Sequence, residues 1–338
     1  MKLTIRDIAK MANVSPATVS KILNNTGSIS KETRDKVMAI VEQTGYRPTF
    51  SAKSLATKKS NLIGIIYAGK VNVDFTHPFF NPVVNTFKKT VGREGYDLLV
   101  FSNETFSLEK ENYLARCRHF HVDGCLIIAG EEVEEAIYEL DQSDIPCAGI
   151  DIELTGNRSR YVMTDNFKIP ALVVEYFYMN SIREIAYIGG LASSKIGEMR
   201  RKGFLEAMEK YGLPVREQWM KYGDFYEDSG YRAMNEILEG KSHPKAVFAA
   251  SDMMALGAMR AIKEKGLKIP EDINVVGCDD IEACRYSDPQ LTTVRQDKEK
   301  LGMMAARMLL ELIHGENGAK SVLIDPEFIV RESSIKGL

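Results

Sequence analysis

From residue 61 onward, short apolar runs alternate with longer amphipathic stretches, and this alternation constrains the fold more than any other feature. The short runs have the length of buried strands, whereas the longer stretches have helical periodicity. Strands that alternate with helices run parallel and are covered on both faces. The pattern predicts an α/β fold with parallel sheets. The predicted strands are 62–67, 97–101, 124–129, 147–150, 185–188, 246–250 and 274–277, and the predicted helices are 81–94, 108–118, 131–142, 200–211, 229–239 and 253–264.

The alternation occurs in two series, which predicts two α/β lobes at about residues 61–160 and 161–338, with late chain crossings between them. Ligands of such sheets bind beyond the carboxyl ends of the strands. Polar side chains at those ends are therefore candidate binding residues. They can hold the hydroxyls of a polyhydroxyl ligand, and aromatic rings can cover its apolar faces. The candidates are Phe79, Phe80, Asp151, Arg200, Phe225, Asp252 and Asp279.

The N-terminal segment differs sharply in charge from the rest of the chain. Residues 1–60 contain 11 Lys and Arg against 4 Asp and Glu, a net charge of +7 in a chain whose total is −3. The remainder therefore carries −10. A small basic segment on a large acidic body suggests a module that binds a polyanion. Chance clustering of solvated charges is the alternative.

Capping signals divide this basic segment into three short helices. Thr4 begins the first, Ser15-Pro16 the second and Ser30 the third, which Gly45 ends. This order predicts a helix-turn-helix module whose second helix enters the major groove of DNA. On that helix, Pro16 and Ala17 suit thymine methyl groups, and Lys21 can reach a guanine edge or a phosphate unless it is merely solvated. The other candidate DNA contacts in this module, some of them to phosphates, are Thr4, Ser15, Thr18, Ser20, Asn24 and Asn25.

Three motifs carry a resemblance to a known family. Residues 4–10 (TIRDIAK), 14–24 (VSPATVSKILN) and 45–48 (GYRP) resemble the lactose/galactose repressor (LacI/GalR) family, and the likeness covers essentially the whole chain. It implies a DNA-binding domain at 1–48, a hinge helix and linker at 49–60, and an effector-binding and dimerisation domain at 61–338. The body is then similar to periplasmic sugar-binding proteins.

The resemblance also implies roles for individual residues. Lys53 and Leu55 fall in the family's hinge helix, where a leucine wedges into the minor groove; a buried linker leucine is the alternative. Arg200 and Asp279 match effector contacts, and Phe225 matches an aromatic wall. Residues 77–80 (HPFF) resemble a loop that lines the cleft, with His77 in place of the usual Asn. Residues 68–76 form a longer loop than usual, so the usual effector cannot be assumed.

Together these features predict a cytoplasmic, sequence-specific transcription repressor that acts as a homodimer on double-stranded operator DNA. A small-molecule effector is expected between the lobes, and a sugar is the leading prediction. A purine corepressor and a phosphocarrier protein are the alternatives within this class. A sugar-modifying enzyme or a transport-binding protein fits less well.

No cofactor, metal or membrane partner is expected. Apolar runs are shorter than the ~20 residues of a membrane span, and a charged N-terminus argues against an export signal. The five cysteines include no C-x-x-C pair. The crowded group Cys117, His119, His121 and Cys125 spans a predicted helix end and a strand, which would point its side chains in different directions.

Overall fold

The computed structural model describes residues 3–47, 59–69, 77–102, 112–129, 133–191, 193–316 and 320–334. The chain divides into two compact units. One comprises residues 1–62 together with 117–123, and the other comprises 63–116 and 124–338. The first unit contains the basic N-terminal helices, and the second contains both α/β lobes.

The three expected N-terminal helices are present, and local capping explains their starts. They are α1 (Ile5–Ala12), α2 (Pro16–Leu23) and α3 (Lys31–Thr44). Thr4 forms a reciprocal capping box with Asp7, and the Ser15 and Ser30 hydroxyls each accept from a backbone N–H of the first turn. Gly45 ends α3 at φ 63°, a left-handed conformation that favours glycine.

These helices are too short to be stable alone, so they depend on a shared apolar core. Four side chains of this core are fully buried, namely Ile8, Ala12, Val19 and Val37. The side chain of Ile22 is 3% exposed. One stripe from each helix therefore faces the same interior, which leaves the rest of α2 available at the surface.

The strands build two parallel sheets, as the alternation predicts. The first sheet has the order β11-β5-β4-β3-β1-β2, and the second has the order β12-β10-β9-β8-β6-β7. In the second sheet β12 runs antiparallel to β10. The strands are β1 (Leu62–Ala68), β2 (Asp97–Val100), β3 (Gly124–Ala129), β4 (Cys147–Ile150), β5 (Ser159–Thr164), β6 (Ile185–Gly189), β7 (Met220–Tyr222), β8 (Ala246–Ala249), β9 (Asn274–Asp279), β10 (Thr292–Arg295), β11 (Val322–Ile324) and β12 (Glu327–Ile329).

Helices cover the sheets and close two separate apolar cores. Phe87, Leu126 and Leu309 are fully buried in lobe one, whereas Trp219, Phe204 and Phe248 are buried in lobe two. The body helices are α4 (Phe80–Arg93), α5 (Tyr113–Phe120), α6 (Glu135–Asp141), α7 (Lys168–Met179), α8 (Lys195–Lys210), α9 (Glu227–Leu238), α10 (Asp252–Glu264) and α11 (Lys298–His314).

The chain passes between the lobes three times. Sheet one continues through β5 to Thr164, so the first crossing follows residue 164 and lies beyond the expected boundary near 160. After β10 the chain returns, because α11 packs against α4 and β11 joins β5. A last crossing places β12 on sheet two.

In the described part of the chain, no helix has the length and hydropathy that a membrane crossing requires.

Candidate functional site

The carboxyl ends of the two sheets bring three ionisable side chains together. Asp151 follows β4 in lobe one, Asp279 ends β9 in lobe two, and Arg200 lies in α8. Their charges act on one another, and all three side chains are buried, with exposures of 7%, 7% and 3%. A buried arginine whose charge acts on carboxyl groups from opposite lobes is a feature of a binding site between the lobes.

Two hydrogen bonds fix the guanidinium of Arg200. Its Nε donates to Oδ1 of Asn166 at 2.8 Å, and one terminal nitrogen donates to the carbonyl of Ala250 at 2.5 Å. Asn166 in turn donates to the carbonyl of Thr164, the last residue of β5. The arginine is therefore oriented by the ends of strands from both lobes.

A residue next to the neighbouring strand fixes the Asp279 carboxyl, and the Asp279 backbone adopts an unusual conformation. The amide nitrogen of Gln296, which follows β10, donates to Oδ1 of Asp279 at 2.7 Å. The ammonium of Lys298 donates to the Asp279 carbonyl. The backbone of Asp279 has φ 122°, which is rare for a residue with a side chain. Burial raises the pKa of Asp279, although Arg200 and Gln296 oppose that rise.

Asp151 and its surroundings contain buried oxygens without a hydrogen-bond partner. Burial raises the pKa of Asp151 to about 6; Arg200 opposes this shift and Asp279 adds to it. Among the residues that the structure describes, Asp151 Oδ1, Thr164 Oγ1 and Gln296 Oε1 are buried without a hydrogen-bond partner. Because a buried polar atom is costly when unpaired, this set favours a ligand that donates hydrogen bonds.

The aromatic candidates occupy different places. The Phe225 ring lies directly over Gly190. A Cβ atom on that glycine would fall 1.9 Å from the ring, so only glycine leaves room for it. Phe80 begins α4 and its ring lies 5.0 Å from that of His77. Phe79 is only 4% exposed and packs in the core of lobe one instead of forming an open wall.

His77 joins the lobes at this site. Its ring meets Tyr226 of lobe two edge-on at 5.7 Å between centroids. Its Nδ1 accepts from the backbone N–H groups of Phe79 and Phe80 at 3.3 and 3.4 Å. In place of the Asn of the resembling family, His77 thus caps the start of α4.

Asp252 and Asp280 have supporting places around this cluster. Asp252 is 0% exposed and accepts from the Thr293 hydroxyl at 2.5 Å and from the Ile281 N–H at 2.9 Å. It therefore ties the start of α10 to the loop after β9. Asp280 turns away from Asp279 and pairs with Arg295 at 2.8 Å and Arg331 at 2.5 Å.

The N-terminal unit presents the expected face of α2. Pro16, Ala17 and Lys21 are exposed, and Thr18, Ser20 and Asn24 are half-buried. The Ser15 and Thr18 hydroxyls lie 2.9 Å apart, and Asn24 donates to Ser20 at 3.4 Å.

Two candidate DNA contacts are engaged in local structure. The Asn25 side-chain oxygen accepts from Arg34 at 2.6 Å, which joins the loop after α2 to α3. Thr4 is exposed, and its hydroxyl donates to Oδ2 of Asp7 at 2.7 Å as part of the cap of α1.

Some predictions lie outside the described residues. Lys53, Leu55 and the rest of the predicted hinge up to residue 58 belong here, as do residues 70–76 of the predicted loop after β1. The group at Cys117 to Cys125 lies within the described residues, and both of its cysteines are buried. Across the described ranges, no cluster of His, Cys, Asp and Glu is arranged to hold a metal ion.

Sequence reasoning did not find Asn166, Gln296 or Lys298. Gln296 follows β10 directly, so the rule about strand ends would have found it if that strand had been predicted. Asn166 lies two residues beyond β5, next to Asp165, and the same rule applies. Lys298 acts through main-chain carbonyls, which leave no signal in the sequence.

Two family models match the chain. Residues 4–49 match "Bacterial regulatory proteins, lacI family", and residues 174–334 match "Periplasmic binding protein-like domain". The chain is 33% identical over 333 residues to the probable HTH-type transcriptional repressor ExuR of Bacillus subtilis, with 98% of each protein covered. It is 34% identical over 337 residues to the HTH-type transcriptional repressor PurR of Photorhabdus laumondii, covering 99% of this chain and 97% of that one.

Solved structures show the same architecture over the whole chain. A lac repressor dimer bound to operator and the anti-inducer ONPF has a TM-score of 0.86 at 26% identity, with 99% of this chain and 100% of that chain covered. A complex of the transcriptional regulator CelR with cellobiose has a TM-score of 0.74 at 28% identity, with 98% and 100% covered.

Proposed function

The chain belongs to the lacI family of bacterial regulatory proteins, and from this premise we propose how it recognises DNA and its effector. It is a transcriptional repressor with a helix-turn-helix module and an effector-binding body. The effector we propose is an uncharged polyhydroxyl compound, that is, a sugar, held between the lobes by Asp151, Arg200 and Asp279.

The exposed end of α2 supports its role as the DNA-reading helix. Pro16 and Ala17 offer apolar contacts to thymine methyl groups, and Lys21 offers the long cation that reaches a base edge or a phosphate. We propose that two copies act together, since a dimer sets two such helices in successive major grooves of a near-palindromic site. The lac repressor to which the chain is similar is a dimer on its operator.

The observation that carries the effector proposal is the balance of charge and hydrogen-bonding groups at the site. Two buried carboxyl groups interact electrostatically with one buried arginine, and Lys298 is engaged with main-chain carbonyls. A ligand carboxylate or phosphate would meet Asp151 and Asp279 at close range, where like charges repel strongly. Hydroxyl groups instead donate to the carboxylates and to the unpaired oxygens of Thr164 and Gln296.

The aromatic side chains also fit a second candidate effector, a purine base. The Phe225 ring over Gly190 and the half-buried Phe80 ring suit a flat ligand as well as a sugar ring. A purine base also donates hydrogen bonds, so it remains the alternative. Amide and ring N–H groups of a purine would then replace the sugar hydroxyls at Asp151 and Asp279.

Thermal unfolding against a ligand panel tests the effector class. The panel contains neutral monosaccharides, cellobiose, hexuronic acids, sugar phosphates, hypoxanthine and guanine. A ligand that binds only the folded state stabilises it by about 2.7 kcal/mol at 100 times its Kd. We expect dose-dependent shifts with a neutral sugar. Shifts confined to hexuronic acids or sugar phosphates would contradict the charge argument, and shifts confined to the purines would select the alternative.

A matched pair of variants tests the site. Arg200→Lys keeps the charge but loses the fixed guanidinium plane, whereas Arg201→Lys makes the same change at the adjacent, half-buried position. We expect the ligand shift to vanish in the first variant and to persist in the second. An operator selected from random DNA by the wild-type protein should still bind both variants. An undiminished ligand shift in Arg200→Lys would place the effector elsewhere.

A further inference from the structure

One side chain holds the chain segment that precedes the first sheet. Oδ1 of Asp123 accepts from the backbone N–H of Ser60 at 3.0 Å and from its hydroxyl at 3.2 Å. Oδ2 accepts from the backbone N–H of Asn61 at 2.8 Å. A single carboxylate, far away in sequence, therefore binds the two residues that follow Lys59.

Two further hydrogen bonds from backbone N–H groups complete this arrangement. The N–H of Asp123 donates to the Leu62 carbonyl at 2.8 Å, and the N–H of Leu62 donates to the Ser60 hydroxyl at 3.1 Å. Asn61 has φ 53°, a left-handed conformation that asparagine tolerates better than most residues. The turn at residues 60–62 thus has a defined shape that depends on Asp123. We call residues 60–62 and Asp123 the linker clamp.

Asp123 is itself placed by the end of α5. His121 follows the helix at φ 51°, and the N–H of Val122 donates back to the Cys117 carbonyl at 3.1 Å, a common way to end a helix. Asp123 comes next and directly precedes β3, which pairs with β1 in the centre of sheet one. The end of α5 therefore fixes the place of Asp123, and Asp123 in turn holds Ser60.

The clamp needs a carboxylate in particular. Three donors point at two oxygens, and hydrogen bonds to an ionised acceptor are about twice as strong as those between neutral groups. An asparagine offers one acceptor oxygen and an alanine offers none. The segment 117–123 also groups with residues 1–62 in the division of the chain into compact units, which agrees with these contacts.

We propose that Asp123 is the positioning residue that fixes where the linker to the DNA-binding helices begins, and so limits the separations at which a dimer can hold its two reading helices. This inference rests on the proposed repressor function. Without the carboxylate, Ser60 and Asn61 lose three hydrogen bonds, and the added freedom of this turn loosens the separation at which a dimer can hold its two reading helices.

The first experiment needs neither an effector nor an operator. Amide hydrogen exchange at Ser60 and Asn61 is compared in the wild type, Asp123→Ala, Asp123→Asn and the control Asp97→Asn, an exposed aspartate at the start of β2. We expect exchange at both amides to speed up at least about tenfold in Asp123→Ala and less in Asp123→Asn. Unchanged exchange in Asp123→Ala would show that the clamp does not hold the segment.

The second experiment measures coupling through half-site spacing. The operator selected by the wild-type protein is lengthened by one central base pair, and the loss of affinity is measured for each variant. Because half-site spacing is set by geometry, we expect a loss of about tenfold or more for the wild type and Asp97→Asn. The loss should be at least about threefold smaller in Asp123→Ala, with Asp123→Asn in between.

The outcomes separate the two proposals. If all variants keep their melting temperatures and lose the same affinity on the lengthened operator, Asp123 has no positioning role. This holds even if the amides of Ser60 and Asn61 exchange faster in Asp123→Ala. Failure of the wild-type protein to select any operator would refute the proposed DNA recognition, whereas the exchange experiment would still judge the clamp.

Discussion

The buried carboxyl of Asp252 gives the stability of the body an unusual dependence on pH. Burial raises its pKa to about 7; the charge of Asp279 adds to that rise, and hydrogen bonds from Thr293, Cys284 and Ile281 oppose it. The ordinary value is 3.8. Between these two values, the folded protein keeps a proton that the unfolded chain has released. The unfolding free energy therefore falls as pH rises from about 4 to about 7.

The size of this effect follows from the shift. One pKa unit corresponds to about 1.4 kcal/mol, so a shift of about three units corresponds to about 4 kcal/mol over the whole range. From pH 5 to pH 8, about 3 kcal/mol of that should be lost. Asp252→Asn removes the titration, yet its oxygen can still accept from Ile281 and its amide can donate to the Thr293 hydroxyl.

Urea unfolding of the wild type and Asp252→Asn at several pH values between 5 and 8 checks this reasoning. We expect the wild type to lose stability relative to the variant as pH rises. Asp228→Asn is the control, because Asp228 is exposed and pairs with Arg260 at the surface. A difference between wild type and Asp252→Asn that is flat with pH, or that grows in favour of the wild type at high pH, would refute the assignment of the proton to this site.

Four further changes have defined outcomes. Lys21→Ala should weaken binding to the selected operator by about 1–3 kcal/mol, as measured by gel shift, and binding to unrelated DNA by less; equal losses would reduce Lys21 to a phosphate contact. Ser15→Ala should cost the N-terminal helices about 1 kcal/mol of stability through loss of the α2 cap, and exchange of the Thr18 amide reports this loss. Gly190→Ala should displace the Phe225 ring and abolish ligand-induced thermal shifts, while operator binding remains. Asp280→Ala leaves Arg295 and Arg331 without their shared partner and should cost about 3–5 kcal/mol in urea unfolding, since Asp280 is buried.

The N-terminal helices could be predicted almost to the residue because their limits are local. Ser15, Ser30 and Gly45 act through bonds to residues three or four positions away, and such bonds do not depend on the rest of the fold. Several central strands were also predictable, since a fully buried strand such as Ala246–Ala249 appears in sequence as an uninterrupted apolar run.

Three of the strands that were not predicted depend on distant parts of the chain. Strands Met220–Tyr222, Val322–Ile324 and Glu327–Ile329 are short and lie at sheet edges, so each is defined by its partner more than by its own residues. The return of α11 to lobe one is likewise a tertiary event. Nothing local shows that Leu301 and Leu309 fill the core built by residues of the first lobe.

The binding site divides in the same way. The rule about strand ends and the resemblance led to Asp151, Arg200 and Asp279, which the structure brings together. The same rule selected Asp252 with equal weight, although its carboxylate is committed to the loop after β9. Adjacent residues such as Asp279 and Asp280 separate only through backbone dihedrals, φ 122° and 51°, that no composition or spacing reveals.

The arrangement of charges explains how an effector of the proposed kind can act on the lobes. Asp151 belongs to lobe one and Asp279 to lobe two. The charge of Asp279 raises the pKa of Asp151, and Arg200 opposes the rise in pKa at both carboxyls. A ligand whose hydroxyls donate to both carboxylates stabilises the arrangement in which the lobes approach. An arrangement with separated lobes loses one of those contacts. The ligand therefore has different affinities for the two arrangements, and such a difference is the only way in which binding can shift a conformational equilibrium. A sugar acid lacks this advantage, because its own charge opposes the approach of Asp151 and Asp279.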